Sequence, residues 1–361
     1  DNALGQVVRW KRKKRAQAPQ SAKEKWATLD GWEVRPKAEV QQTDPEATQT
    51  LPQLFVVDAQ ALQHYAYQEA TRGHGDVPHW MTAGGFNLFT QTLRSIFEAL
   101  LDVAQVVVVG DGAYPLAKKN ETVHRFTNKS RRSKVAVDYL MSKGSYSRDM
   151  VWPVLAHIVF DLVVHEYPSI EIIQSEFEAD IVVASVCRER NGVAVSRDSD
   201  FFILGVNYLP LYTLEISDGY LGGRWYPSDA LSRFLGISTD SLLLLAAFIG
   251  NDFVDATTFE DFRKEALTQW YAQTNREQRI SAAGHAPKFL AVAAFLNKHG
   301  AAETIKRASE SVSERADVQH DLCEMVATST TQYTEEGNAM AEVTHRSLLC
   351  AISSGDVFCD A

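Results

Sequence analysis

The chain has 361 residues, 45% of them hydrophobic and 23% charged, and a formal net charge of -10. That is enough to bury one large core or two modest ones, while the net acidity argues against a general nucleic-acid coat, and no run approaches the roughly 18–20 apolar residues of a membrane span, so no membrane partner is expected. Four cysteines, Cys187, Cys323, Cys350 and Cys359, form no CxxC pair, which argues against a disulfide scaffold or zinc cage and favours a reducing interior.

Residues 1–52 read as a basic, flexible N-terminal extension. They are rich in Ala, Gln, Lys, Arg and Pro, lack a periodic core pattern and carry the run Lys11-Arg12-Lys13-Lys14-Arg15. Such a charge block is a solvated tail, an RNA-contacting arm, a nuclear address or the remnant of a mitochondrial import segment. The chain opens on Asp1 rather than Met, as a processed or trimmed product would, and shows no signal-peptide pattern. An intracellular site is expected, mitochondrial matrix or nucleus.

From Leu54 the pattern alternates. Buried strands are predicted at Leu54–Val57, Val106–Val109, Ile170–Ile173 and Val193–Ser196, with a fifth over Leu209–Leu214. Helices are predicted over 84–101, 150–165 and Phe177–Arg190. Apolar strands separated by helices imply a mostly parallel, twisted sheet covered on both faces. After Pro227 the reading is all-helical: Asp229–Leu235, Ser241–Ile249, Phe259–Thr274, Pro287–His299, Ala302–Ala316 and Gln319–Thr328. The expected division is therefore an extension over 1–52, an α/β domain over 53–255 with a basic insertion at 118–148, and a helical region over 256–361.

In open α/β sheets, functional residues gather outside the carboxyl ends of the strands. The first predicted strand ends at Asp58 and the second runs into Gly110-Asp111-Gly112. The third leads to Ser175-Glu176-Phe177-Glu178-Ala179-Asp180 and the fourth to Arg197-Asp198-Ser199-Asp200. Helix Leu242–Ile249 ends in Gly250-Asn251-Asp252. Seven or eight carboxylates would thus share one cleft, where like charges repel and need cations to stay ionised. Mg2+ or Mn2+, hard ions with oxygen ligands, are the natural compensation. Two such ions about 3.5–4 Å apart suit phosphodiester hydrolysis. The plainer role for Glu178 is in a capping box with Ser175 as N-cap.

Other motifs weigh less. Gly110-Asp111-Gly112 is no dinucleotide fingerprint, because Pro115 holds the third glycine position. His74 and His79 belong to a Gly/Pro-rich surface loop, and neither GxSxG nor Walker A occurs. Between Lys118 and Arg148, nine Lys/Arg face Glu121 and Asp138, a local net of +7 (nine minus two) on an acidic protein. That zone is an electrostatic footprint for nucleic acid.

Taken in order, these segments resemble the flap-endonuclease/XPG superfamily. Val56-Val57-Asp58-Ala59-Gln60-Ala61-Leu62 is similar to its first acid motif. Val109-Gly110-Asp111-Gly112 with Tyr114-Pro115 and Lys118 is similar to its DG-x-x-P motif. Ser175–Asp180 is similar to its SEAEA helix start, Arg197–Asp200 to its ED-x-D turn, and Gly250-Asn251-Asp252-Phe253 to its G-S-D-Y segment. The resemblance covers about Leu54 to Val254 and implies a PIN-like/5′-nuclease fold with two metal sites. Asp58, Asp111, Glu176 and Glu178 would hold one ion, Asp198, Asp200 and Asp252 the second, with Asp180 a further ligand on the face of Glu176. It also implies that Lys118 and Arg125 reach the substrate phosphate. The basic stretch, with Lys119, Lys129, Arg131, Arg132 and Lys134, would form an arch that grips a single strand.

Two departures refine the resemblance. No Gly-led N-terminal segment is found, and the first glycine after Asp252 is Gly284, so the family's DNA-gripping helix-hairpin-helix is lost. Together with Leu244-Leu245-Ala246-Ala247-Phe248-Ile249-Gly250, this resembles the asteroid branch. The resemblance implies a metal-dependent nuclease acting on RNA or structured DNA. The alternative is a PIN-fold RNA-binding or scaffold subunit of a ribonucleoprotein, such as a (mitochondrial) ribosome or ribosome-assembly particle, with a dormant pocket. The basic tail and the lost hairpin favour that alternative; the complete set of acids opposes it, because idle buried carboxylates cost stability.

Overall fold

The structure is a computed structural model and describes residues 6–11, 52–71, 86–113, 119–143, 156–217, 219–250, 254, 257–274 and 287–312. Its centre is a five-stranded parallel sheet of β2 (Leu54–Asp58), β3 (Gln105–Gly110), β4 (Glu171–Gln174), β5 (Val193–Ser196) and β6 (Asn207–Pro210), in the spatial order β4-β3-β2-β5-β6. Pairing runs outward in both directions from β2: Asp58 lies opposite Val109 on one side, and Val57 opposite Val195 on the other. The strand order therefore reverses between β2 and β5, which makes that gap the topological switch point.

The near-continuous apolar strands β2, β3 and β5 are explained by burial on both sides, whereas the edge strand β4, expected to be buried, is largely exposed. Phe55 and Val57 face a core with α1 (Ala59–Thr71), α2 (Phe86–Leu101) and α4 (Ala156–Val164). Leu54 and Val56, on alternate positions, face a second core with α5 (Ala179–Arg190), Phe201 and Tyr208. The basic stretch forms one long helix, α3 (Lys119–Lys143). The short helix α6 (Ala230–Leu235) ends at Gly236, whose φ of 67° is the left-handed C-cap that glycine allows. It leads to a third core built by α7 (Thr239–Ile249), α8 (Glu260–Gln273) and α9 (Pro287–Val312). α9 is broken at Gly300, with φ 77° and ψ 169°, between the two helices read from the sequence. Among the described residues no helix is long and apolar enough to cross a membrane.

Several elements depart from the sequence reading. Gln6–Lys11, assigned to the flexible extension, form strand β1 and pair antiparallel with β8 (Tyr220–Trp225), which also pairs with β7 (Glu215–Ser217). Two apolar side chains at alternate positions drive this: Val8 and Trp10 are fully buried, and Trp10 meets the Phe55 ring edge-on at 5.6 Å. The fifth parallel strand ends at Pro210 instead of running to Leu214, because residues 211–213 turn as a 3-10 helix. Residues 12–51, His74, His79 and the helix expected over Gln319–Thr328 lie outside the described residues.

A candidate acidic active site at the switch point

Asp58 closes β2 and starts α1. Its side chain is buried, at 7% exposure, and both oxygens are engaged. Oδ1 accepts from the Ala61 backbone N–H at 3.0 Å, and Oδ2 accepts from the Ser196 hydroxyl at 2.7 Å. Ser196 is itself fully buried at the end of β5, and its oxygen accepts from the Asp198 N–H at 3.2 Å. Asp198 in turn caps the short 3-10 helix Ser199–Phe202 by accepting from the Asp200 N–H at 3.0 Å. Ser196 thus ties the two acid-bearing strand ends across the switch point. Nothing in the sequence marked it; a serine at a strand end carries no motif.

Asp111 reaches across from the end of β3 and accepts from the Ala179 N–H at 2.8 Å, at the start of α5. The loop that carries it is stitched to the loop after β4: Ser175 N–H donates to the Gly110 carbonyl at 2.9 Å, Gly112 N–H to that of Phe177 at 2.5 Å, and Ala113 N–H to that of Glu176 at 2.8 Å. The packing leaves no room for a side chain at position 112, where a Cβ would collide with the Ser175 and Glu176 carbonyls. These contacts displace the expected capping box. α5 starts at Ala179, Glu178 stands at the N-cap without a side-chain cap, and the Ser175 hydroxyl donates instead to the Glu178 carbonyl at 3.0 Å. The positive ends of α1 and α5 therefore point into the same acid cluster.

Charge repulsion shows which acids share the cup. Burial pushes the Asp58 carboxyl up to about 6; hydrogen bonds from Ala61 and Ser196 oppose that, and Asp111 and Asp198 add to it. Asp180, half-buried on the first turn of α5, is raised well above the usual carboxylate range, first by burial and then by Asp58, Asp198, Asp111 and Asp200. The structure thus gathers Asp58, Asp111, Asp180, Asp198 and Asp200. Glu176 is exposed on the bend ahead of α5 and Glu178 is half-buried. Asp252 and Lys118 lie outside the described residues. The segment that leads to Asp252 leaves α7, whose last turn is held by the buried Arg263: its Nη1 donates to the Phe248 carbonyl at 2.8 Å. On α3, Arg125, Arg131 and Lys134 are exposed, and Lys119, Lys129 and Arg132 belong to the same helix.

The donor set is all oxygen, and among the described residues no cation pairs with Asp58, Asp180 or Asp198. That chemistry fits a hard divalent ion. Among the described residues, however, no three His, Cys, Asp or Glu side chains stand as a closed ligand set.

Comparison with known proteins finds partial matches. The FAM120A-like domain family matches residues 235–337. The single-strand DNA endonuclease ASTE1 of Danio rerio is 27% identical over 184 residues, 47% of this chain and 26% of that protein. The constitutive coactivator of peroxisome proliferator-activated receptor gamma of Bos taurus is 26% identical over 220 residues, 60% of this chain and 30% of that protein. The chain thus spans less than a third of the length of these curated relatives. Among solved structures, the catalytic core of Rad2 with a DNA substrate covers 79% of this chain and 80% of its own at 16% identity and a TM-score of 0.42. Flap endonuclease-1 from Methanococcus jannaschii covers 79% of this chain and 94% of its own at 12% identity and a TM-score of 0.41. The chain has an α/β fold built on a five-stranded parallel sheet, with helices beyond it among the described residues, and is similar to the asteroid branch of the flap-endonuclease/XPG superfamily.

Proposed function

We propose that the chain is a divalent-metal-dependent nuclease that hydrolyses phosphodiester bonds in single-stranded nucleic acid, with Mg2+ or Mn2+ at two sites in the acid cup. The observation that carries this reading is the gathering of Asp58, Asp111, Asp180, Asp198 and Asp200 at the sheet's switch point, where burial, reinforced by the neighbouring acids, holds Asp58 and Asp180 above the usual range. A crowd of carboxylates without a cation is a liability that bound ions relieve. When bound, such ions supply the Lewis acidity that phosphodiester hydrolysis needs.

The chain's own residues do the rest. Asp58 and Asp180 line the least exposed part of the cup, Asp111, Asp198 and Asp200 would complete the oxygen donors around it, and Glu176, Glu178 and Asp252 would add to them as the resemblance implies. Arg125, Arg131 and Lys134 on α3 offer exposed donors to backbone phosphates, and Lys118 extends that set in sequence. The Danio rerio relative is named for single-strand DNA, which directs the test to unpaired strands. A metal-free nucleic-acid-binding or scaffold role is the second reading, favoured by the absence of a closed three-acid ligand set among the described residues.

The test is cleavage of 5′-labelled single-stranded DNA and RNA with Mn2+ or with EDTA. Wild type is expected to cleave only with metal, and Asp180→Asn and Asp198→Ala each to lower the rate by about 100-fold or more. Cleavage that persists in both variants rules out the metal-nuclease reading. Binding without cleavage by wild type establishes the second reading instead.

A further inference from the structure

The rim of the cup carries an aromatic side chain that no acid motif includes. β5 and β6 pair in parallel with Ser196 opposite Pro210. Both strands end at that pair: β5 runs on to Asp198, and β6 into the 3-10 turn of residues 211–213 that carries Tyr212. Tyr212 and Asp198 thus follow the ends of neighbouring strands at the same edge of the sheet. The Tyr212 side chain is 63% exposed, although the residue before it, Leu211, is fully buried.

The turn that presents Tyr212 is fixed. The Thr213 hydroxyl donates to the Pro210 carbonyl at 2.8 Å and accepts from the Arg224 N–H of β8 at 3.0 Å. The Tyr212 hydroxyl is raised by burial and by Tyr226, with Arg224 acting the other way. Its electrostatic neighbours are therefore an aromatic ring and a cation. The Tyr208 hydroxyl is raised by burial first and then by Tyr212, Asp198 and Asp58, and it donates to the Ser196 carbonyl at 3.3 Å. Tyr212 and the acids are two sides of one local structure.

We propose that Tyr212 is a base-stacking shelf at the rim of the acid cup and receives the unpaired nucleobase next to the phosphate that the acids would hold. This rests on the nuclease reading above. A stacking face tolerates any base, because every base has a π-face, but it needs that face uncovered. A single strand offers it; a base stacked within a duplex does not. A rigid turn suits the role because little conformational freedom is lost on binding.

The test is fluorescence anisotropy with a labelled single-stranded oligodeoxynucleotide, with Ca2+ in place of Mn2+ and strand integrity checked on a gel. Tyr212→Ala is expected to weaken binding by about 10-fold or more, while Tyr212→Phe and Tyr212→Trp stay close to wild type. An abasic site walked along the strand should find one position that weakens wild-type binding and leaves Tyr212→Ala unaffected. Equal affinity of Tyr212→Ala and wild type overturns the proposal, as does failure of Phe and Trp to restore binding, absence of any position-specific abasic effect, or absence of wild-type binding. Cleavage in Mn2+ is scored separately. Tyr212-dependent binding without any wild-type cleavage removes the nuclease reading and leaves the shelf in place.

Discussion

Asp58 is the residue at which fold and chemistry conflict most directly. It sits at 7% exposure, accepts two hydrogen bonds and still has its carboxyl raised from 3.8 to about 6. A carboxyl with a raised folded-state pKa holds its proton more tightly folded than unfolded. Its contribution to stability is therefore fully present below about pH 4 and lost as pH rises through about 6. At neutral pH the loss for Asp58 amounts to about 3 kcal/mol, and Asp180 acts in the same direction. In EDTA, urea unfolding should show a stability loss between pH 4 and pH 7.5 that shrinks by about 3 kcal/mol in Asp58→Asn. Asparagine can still accept from Ala61 N–H and, with its amide turned toward the Ser196 oxygen, donate there, so packing is kept while the charge is removed. Matching pH slopes for the two proteins would show that the Asp58 carboxyl is not raised in the folded state. Ser196 is the second residue to probe. Ser196→Ala removes the donor to Asp58 Oδ2 and the acceptor of the Asp198 N–H. It should cost about 1–3 kcal/mol in the same urea assay, with Ser196→Thr recovering most of it. A stability unchanged in Ser196→Ala would mean that water replaces the hydroxyl at no cost.

Among the elements, β1 shows where sequence reading stopped. Its charge and the Lys/Arg run that follows read as a tail, and the two residues that matter, Val8 and Trp10, are too few for a periodic signal. Their partner β8 lies more than 200 residues away along the chain, so the pairing Trp10–Leu221 has no local signature. The β7–β8 hairpin did carry one. Asp218-Gly219 stands between the two strands, and Gly219 has a φ of 89°, the signal expected of a tight hairpin turn. The buried parallel strands β2, β3 and β5, by contrast, were legible within a residue, because burial on both faces forces unbroken apolar runs. Trp10 packs against Phe55 and Trp225, with ring centroids at 5.6 and 6.3 Å, and its Nε1–H is buried without an acceptor. Trp10→Ala should therefore destabilise the fold by about 3–5 kcal/mol. Trp10→Phe should cost much less, since it keeps a ring in the core and removes the unpaired N–H. Chemical unfolding of both variants checks this; a Trp10→Ala protein as stable as wild type would place β1 outside the folded core.

At the scale of the whole molecule, the order of acids along the chain was readable because a parallel sheet brings every strand's carboxyl end to one edge. What could not be read was which acids meet. Asp180 joins the ring around Asp58 because Asp111 and the stitched loop after β4 fix the start of α5 at Ala179. Starting α5 two residues earlier, as the sequence suggested, would change which acids occupy its first turn. The same fold gives the cup a thermodynamic signature. Ions that bind only the gathered acids bind the folded state alone, so they stabilise it by mass action, by about 2.7 kcal/mol at 100 times the dissociation constant. Unfolding dispersed over the cores of the sheet and of the C-terminal helices need not be a single transition, so the transition to follow is the one that reports on the sheet core, through Trp10 and Trp225 fluorescence. Mn2+ should raise that transition relative to EDTA in wild type. The rise should be largely absent in Asp180→Asn, which removes a charge from the ring while leaving its backbone in place. Because removing a buried like charge also relieves repulsion, Asp180→Asn should melt higher than wild type in EDTA and gain little from Mn2+. Equal Mn2+ shifts in the two proteins would mean that the ion binds elsewhere on a chain of net charge -10, and that the cup's acids are held together by the fold alone.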